Sequence, residues 1–203
     1  MMNSIRIQGI ASDMSFSHEV MAEKFLKFRL SSRRKSGTCD VVDVVISKDL
    51  ADAISLRNGE MVEIYGNVRS CETVDERENL KNIFIFCETI IQIAPIEGEC
   101  VNEFVLEDGI IVKSGEVRQR QNNRRLCSLK IASNSRYRSN YIPCLAWGRF
   151  ADISSLYTTG TAVKGYGRLQ SRTYKKANDH GIEYHEICEV SLTSIARKDG
   201  EEE

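Results

Sequence analysis

The 203-residue sequence predicts an all-β chain: two tandem five-stranded barrels, each interrupted by one short helix. Three observations predict it. One pattern of residues occurs twice, with a spacing of about 100 residues. Apolar and polar residues alternate with a period of two through much of each copy. In the middle of each copy, one stretch switches to helical spacing.

The repeat runs the length of the chain. Ile7-Gln8-Gly9-Ile10 matches Asp108-Gly109-Ile110-Ile111, and Lys27–Ser31 matches Ser128–Ala132. Leu50–Ser55 matches Phe150–Ser155, and Asn58-Gly59 corresponds to Thr159-Gly160. Met61–Gly66 and Ala162–Gly167 follow those turns. Ala94–Glu99 contains Pro95 and Gly98, both breakers of regular structure, and divides the copies. The expected units are residues 1–97 and 101–197, followed by an acidic tail, 198–203.

Within each unit the elements follow from pattern. Leu26, Phe28 and Leu30 alternate with Lys27 and Arg29, as in a strand with one buried face. Ile64, Gly66 and Val68 alternate with Tyr65, Asn67 and Arg69 in the same way. Ile83–Ile93 is β-branched and aromatic. Residues 47–55 and 148–157 read as helices, because Leu50/Ile54 and Phe150/Ile153/Tyr157 have helical spacing. Three strands, a helix and two strands in ~100 residues is the order of an OB barrel. Gly9, Gly66, Gly109 and Gly167 suit the bends of a small barrel.

Composition narrows the function classes. The chain is 41% hydrophobic and 28% charged, which excludes general disorder. No apolar run approaches the ~18–20 residues that span a bilayer. No basic stretch leads into an apolar block at the start, so a cytoplasmic, nucleoid-associated protein is expected. Seven cysteines at wide spacing, without Cys-x-x-Cys, argue against a disulfide framework or a zinc ribbon. Residues 1–100 hold 12 Lys/Arg and 16 Asp/Glu, a net −4, while residues 101–198 hold 16 and 9, a net +7. A basic unit fits a polyanionic partner.

The second unit also places aromatics and arginines together. Tyr141 and Trp147 share parity along one strand and so share a face, roughly 20 Å apart. Tyr166, Arg168, Gln170, Arg172 and Tyr174 share a face on the next long strand. Aromatic rings stack on unpaired bases, and arginines neutralise phosphates. Arg118, Arg120, Arg124 and Arg125 lie in a polar segment that could wrap a strand, and Arg136, Arg138 and Arg149 extend the basic set. Lys175 and, in the first unit, Arg29, Arg33, Arg34 and Arg69 are secondary candidates. Cross-strand aromatic pairs also stabilise sheets, and Trp147 could serve as core. Pro143 cannot donate to a ladder and marks an edge or irregular position.

The series Asn140–Ala151, then Gly160, then Gly167–Tyr174 resembles the bacterial single-stranded DNA-binding protein family, over about residues 103–195. In that family the positions matching Tyr141, Trp147 and Tyr174 are base-stacking aromatics, and those matching Arg168 and Arg172 lie on the binding strand. The resemblance implies sequence-independent binding of single-stranded DNA in replication, recombination and repair, and four OB folds per assembly. The family's usual chain has one OB fold and a long linker, whereas this chain has two. A homodimer would therefore supply four folds. The acidic end, Lys198–Glu203, lacks the apolar anchor with which the family recruits replication or repair proteins. In the first unit the matching positions are Val41, Ser47 and Thr73, so the aromatics are missing there, and a mainly structural role is favoured.

Other chemistry finds little support. His185 and Cys188 are too few for a closed metal site and fall on opposite strand faces, while His180 adds no pattern. His18 with Asp13 and Glu19 reads as a polar loop. Nucleotide-binding glycine motifs and a Ser/His/Asp set are absent, so neither enzyme activity nor a cofactor is expected. A protein-binding scaffold and an RNA-binding OB protein are the alternative functions.

Overall fold

Strands form where one face of an alternating run can be buried, and the burial follows the alternation closely. In β1 (Asn3–Val20) the residues Asn3, Ile5, Ile7 and Gly9 point inward, and Ser4, Arg6 and Gln8 are half-exposed. A computed structural model describes residues 2–72, 81–119, 123–135, 138–178 and 181–198. The first unit continues with β2 (Glu23–Arg33), β3 (Cys39–Ser47), α1 (Lys48–Ala53), β4 (Met61–Glu72) and β5 (Lys81–Gln92). The second comprises β6 (Asn102–Ser114), the short β7 (Arg118–Gln119), β8 (Arg125–Ser135), β9 (Arg138–Trp147), α2 (Arg149–Ser155), β10 (Ala162–Asn178) and β11 (Gly181–Arg197).

The strands join as β2-β3-β5-β4-β1-β6-β10-β11-β9-β8-β7. Two further pairings, β1 with β2 and β6 with β8, close the sheet into two barrels. In each barrel one contact is parallel: β3 with β5, and β9 with β11. Both helices are shorter than the stretches read from sequence and end by Ala53 and Ser155. Beyond the expected elements, β7 pairs with Leu126 and Arg125 of β8.

Phe28, Leu30, Ile46, Ile64 and Ile85 fill the first barrel, and Leu106, Ile111, Ile131, Ile142 and Leu169 fill the second. Full burial of each such side chain contributes about 1.5–3 kcal/mol. Gly66 and Gly167 sit at equivalent bulges in β4 and β10. A methyl there would lie 2.1 Å from the Phe86 carbonyl oxygen and 2.5 Å from that of Ser191. Only glycine lets the strands approach so closely. The turns before β4 and β10 need glycine for a different reason: Gly59 and Gly160 have φ of +91° and +92°.

The barrels meet along β1 and β6, which pair antiparallel with Asn3 opposite Leu106, Ile5 opposite Phe104 and Ile7 opposite Asn102. Ile5 pairs with Gly66 on β4, and Phe104 pairs with Gly167 on β10, so Ile5 and Phe104 are equivalent residues facing each other. The seam therefore has a pseudo-two-fold axis, as an isologous interface would. Its polar contacts obey the same symmetry. The Asn3 side-chain amide accepts from Val68 N–H at 2.8 Å and donates to the Val68 carbonyl at 3.3 Å. The Asn102 amide does the same with Leu169, at 3.0 and 2.9 Å. No helix of the described residues is long and apolar enough to cross a membrane.

Candidate nucleic-acid interface

β9 places its side chains as its alternation predicts. Ile142, Cys144 and Ala146 are buried, while Tyr141, Pro143 and Trp147 are half-buried on the outer face. Pro143 lies just before the parallel pairing with β11, which begins at Cys144, so its missing N–H costs no bond there. The Trp147 indole N–H donates to Ser191 Oγ of β11 at 3.1 Å, which fixes the ring on the outer surface. Ser191 in turn lies opposite Arg168 of β10.

A cleft of about 440 Å³ opens beside this ring. Trp147, Arg168, Gln170 and Arg172 line it from the second barrel, together with Arg124, and Arg34 enters from the first. Two buried carboxylates lie beneath three of these arginines. Glu189, 4% exposed, accepts from Arg172 Nε at 3.0 Å and from Gln170 Nε2 at 3.1 Å. Asp40, fully buried, accepts from Arg34 Nε at 2.6 Å, and Arg168 Nη1 lies 3.5 Å away. Each guanidinium is anchored on one edge and keeps outward N–H groups: Arg168 is 34% exposed and Arg172 47%. Fixed positive groups beside a fixed ring suit a strand of alternating phosphates and bases.

The remaining candidates separate clearly. Arg124 is exposed at the cleft; Arg118 is exposed on β7. Arg125 pairs with Asp152 at 2.9 Å, and the exposed Arg149 lies over the Phe150 ring at 4.7 Å. Tyr174 is half-buried on β10 opposite His185, and Lys130 lies 5.6 Å from the Tyr141 ring. Arg138 donates to the Ser70 carbonyl at 2.6 Å, at the junction with the first barrel. Tyr166, 53% exposed, lies opposite Val105 beyond the β10 bulge and does not line the cleft. Arg120, Arg136 and the Lys175 side chain lie outside the described residues, as do Thr73, His180 and the tail from Asp199.

In the first barrel, Arg33 is not brought to the cleft. Its guanidinium holds the connecting segment, donating to Gly98 O at 2.7 Å and Ile96 O at 2.6 Å. Arg29 pairs with Glu186 of β11, and Arg69 covers the Phe86 ring at 3.4 Å. Burial pushes the Cys87 thiol up to about 12, and the Cys144 and Cys188 thiols also shift upward, chiefly because they are buried. Among the described residues no group of three or more His, Cys, Asp or Glu could hold a metal ion.

Sequence reasoning missed Asp40, Glu189 and Ser191, because only strand pairing brings them against Arg168, Arg172 and Trp147. It also missed Phe25 and Phe86. For Phe86 a signal existed: Ile83, Ile85 and Cys87 are buried, so the same alternation places Phe84 and Phe86 outward.

Residues 101–195 match the model of the single-strand binding protein family. A search among curated proteins found no relative. The wild-type single-stranded DNA binding protein of Thermus aquaticus is similar in fold, with a TM-score of 0.76 and 15% identity over 98% of this chain and 93% of that one. A deletion mutant of the Thermus aquaticus protein gives a TM-score of 0.75 at 16% identity, over 99% and 98% of the two chains.

Proposed function

We propose that this chain, whose second barrel matches the single-strand binding protein family over residues 101–195, binds single-stranded DNA without regard to sequence. The observation that carries the reading is the Trp147 cleft. A half-exposed ring, fixed by Ser191, lies beside Arg34, Arg124, Arg168 and Arg172. Bases stack on the ring, and the outward N–H groups of the arginines take phosphates and release counterions. The buried acids orient these cations without covering them. Tyr141 and Tyr174 extend the surface along β9 and β10, and Arg118 and Arg138 extend its charge.

The role that follows is protection of exposed single strands during replication, recombination and repair. Two barrels per chain make a homodimer the natural four-barrel assembly. The sheet face that spans the β1–β6 seam supports it, because the equivalent residues Tyr65 and Tyr166 are 38% and 53% exposed there. Titration with oligo-dT tests the reading. Trp147 emission should be quenched, and affinity should fall steeply with salt. Unchanged emission with no mobility shift at low salt would overturn it.

A further inference from the structure

The two barrels carry their aromatic bulk at different but adjoining positions. In the second barrel Trp147 faces Leu126 across β8–β9, and its neighbour Leu145 pairs with Ser191 of β11. In the first, Ser47 faces Phe25 across β2–β3, and Val45 pairs with Phe86 of β5. Phe25, Ser47 and Phe86 therefore occupy the places of Leu126, Trp147 and Ser191. The ring is missing at the position of Trp147, and rings stand at both neighbouring positions.

These rings form an ordered row. His18 stacks on Phe25, with centroids 4.9 Å apart and planes inclined by 10°. Phe25 meets Phe86 at 5.9 Å. The Arg69 guanidinium lies 3.4 Å from the Phe86 centroid. Phe25 is buried beneath the row, Phe86 is half-buried and His18 is exposed. The stack ends in the exposed His18 imidazole at one end and, at the other, in the half-buried Arg69 guanidinium, whose Nε–H donates to Asn67 Oδ1 at 2.9 Å.

The row also lies at the junction with the second barrel. Arg69 is followed by Ser70, whose hydroxyl accepts from Tyr141 N–H at 3.0 Å and whose carbonyl accepts from Arg138. Burial, and next the like charge of Arg138, hold the Arg69 guanidinium below its ordinary range. Glu88 offsets that repulsion only in part, and an anion beside Ser70, next to Arg69 in the chain and bonded to Arg138, would relieve the rest.

We propose that the first barrel carries a second base-stacking platform, Arg69–Phe86–Phe25–His18, and that a nucleic-acid strand passes onto it from β9 with a phosphate at Arg69 and Arg138. The platform rests on the reading of the chain as a single-strand binder. It replaces the expectation that a barrel lacking aromatics at Val41 and Ser47 is mainly structural.

The test compares the full chain with Phe86→Leu, which keeps apolar volume but removes the ring, and with Arg69→Gln. Two dT oligomers are used, one of about 12 nucleotides, within the ~4–16 that one OB fold accommodates, and one of about 40. Each variant should lose roughly tenfold in affinity for the long oligomer, with short-oligomer quenching of Trp147 unchanged. Unchanged long-oligomer affinity in both variants, with Trp147 quenching intact, overturns the platform alone. Absence of binding by the unaltered chain overturns the platform together with the reading beneath it. Ultraviolet crosslinking of the unaltered chain to the long oligomer supplies a readout independent of variant folding. Crosslinks to the peptides holding Phe86 or Phe25 support the platform, and crosslinks confined to the second barrel overturn it.

Discussion

Asp40 and Asn140 make the same contact from opposite barrels: each side-chain oxygen accepts the backbone N–H of a serine across the seam, Ser171 at 2.8 Å and Ser70 at 3.2 Å. The serine hydroxyls complete the symmetry by accepting from Val41 N–H at 2.9 Å and Tyr141 N–H at 3.0 Å. One position carries a charge and the other does not. The charged one gathers Arg34 and Arg168 into the cleft. The pseudo-symmetric contact is thus made by a neutral amide on one side and by a carboxylate on the side where the cleft lies.

Asp40→Asn keeps the contact to Ser171 but removes the charge that faces Arg34 and Arg168. Loss of one partner from a buried ionic group destabilises by about 3–5 kcal/mol, and the partial exposure of both arginines reduces this to roughly 1–3. Urea unfolding should show a lower midpoint at unchanged slope.

Trp147→Ala should weaken oligo-dT binding by about 1–3 kcal/mol, while Trp147→Phe should retain a large part of the affinity because a ring remains. Mobility shifts measure both, since neither variant keeps the fluorophore.

Arg172→Ala should lower the steepness of the log affinity against log salt plot by about 0.7, the contribution of one phosphate contact on a single strand. An unchanged slope would show that Glu189 fully occupies this guanidinium.

Gly167→Ala places a methyl 2.5 Å from the Ser191 carbonyl oxygen, so the β10 bulge must shift. A stability loss of about 1–3 kcal/mol is expected from overpacking, together with weaker binding, because Ser191 fixes Trp147. Thermal unfolding and oligo-dT titration report the two effects.

Glu63 sets one limb of the pH dependence. The Tyr65 hydroxyl, then Arg6 and Gln8, hold its carboxyl below the ordinary 4.5, against the opposing effect of burial. The unfolded chain therefore takes up this proton first as pH falls. The stabilisation is complete above about 4.5 and is lost as pH drops through the lower folded-state value. Glu63→Gln should flatten that part of the stability profile in acid unfolding.

Much of this molecule was legible in residue pattern. Period-two alternation located the long strands, and the doubled Gly59/Gly160 and Gly66/Gly167 marked turns and bulges that need glycine. Parity alone put Tyr141 with Trp147, and Arg168 with Arg172, on outer faces. The same rule applied to Ile83–Cys87 would have turned Phe86 outward, but the match to the second unit directed attention to Val41 and Ser47 instead. Arg33 read as a phosphate ligand because its type and neighbours fit one, and nothing local revealed the carbonyls of Ile96 and Gly98.

The sequence by itself determined the order of the long strands and the two helices, the likeness of the two barrels and the aromatic and basic character of the second, because alternation and glycine placement are local constraints on the backbone. The tertiary structure alone decided which arginines face a cleft, which are held by Asp40 and Glu189, and where the first barrel keeps its rings. Those outcomes depend on strand register, which brings Arg172 to Glu189, and on the seam between β1 and β6, which brings Asp40 to Arg168, 128 positions away. Charge pairing and ring stacking act over a few ångströms, so strand register within each barrel fixes Arg172 on Glu189 and the rings on one another, and the seam fixes Arg168 on Asp40.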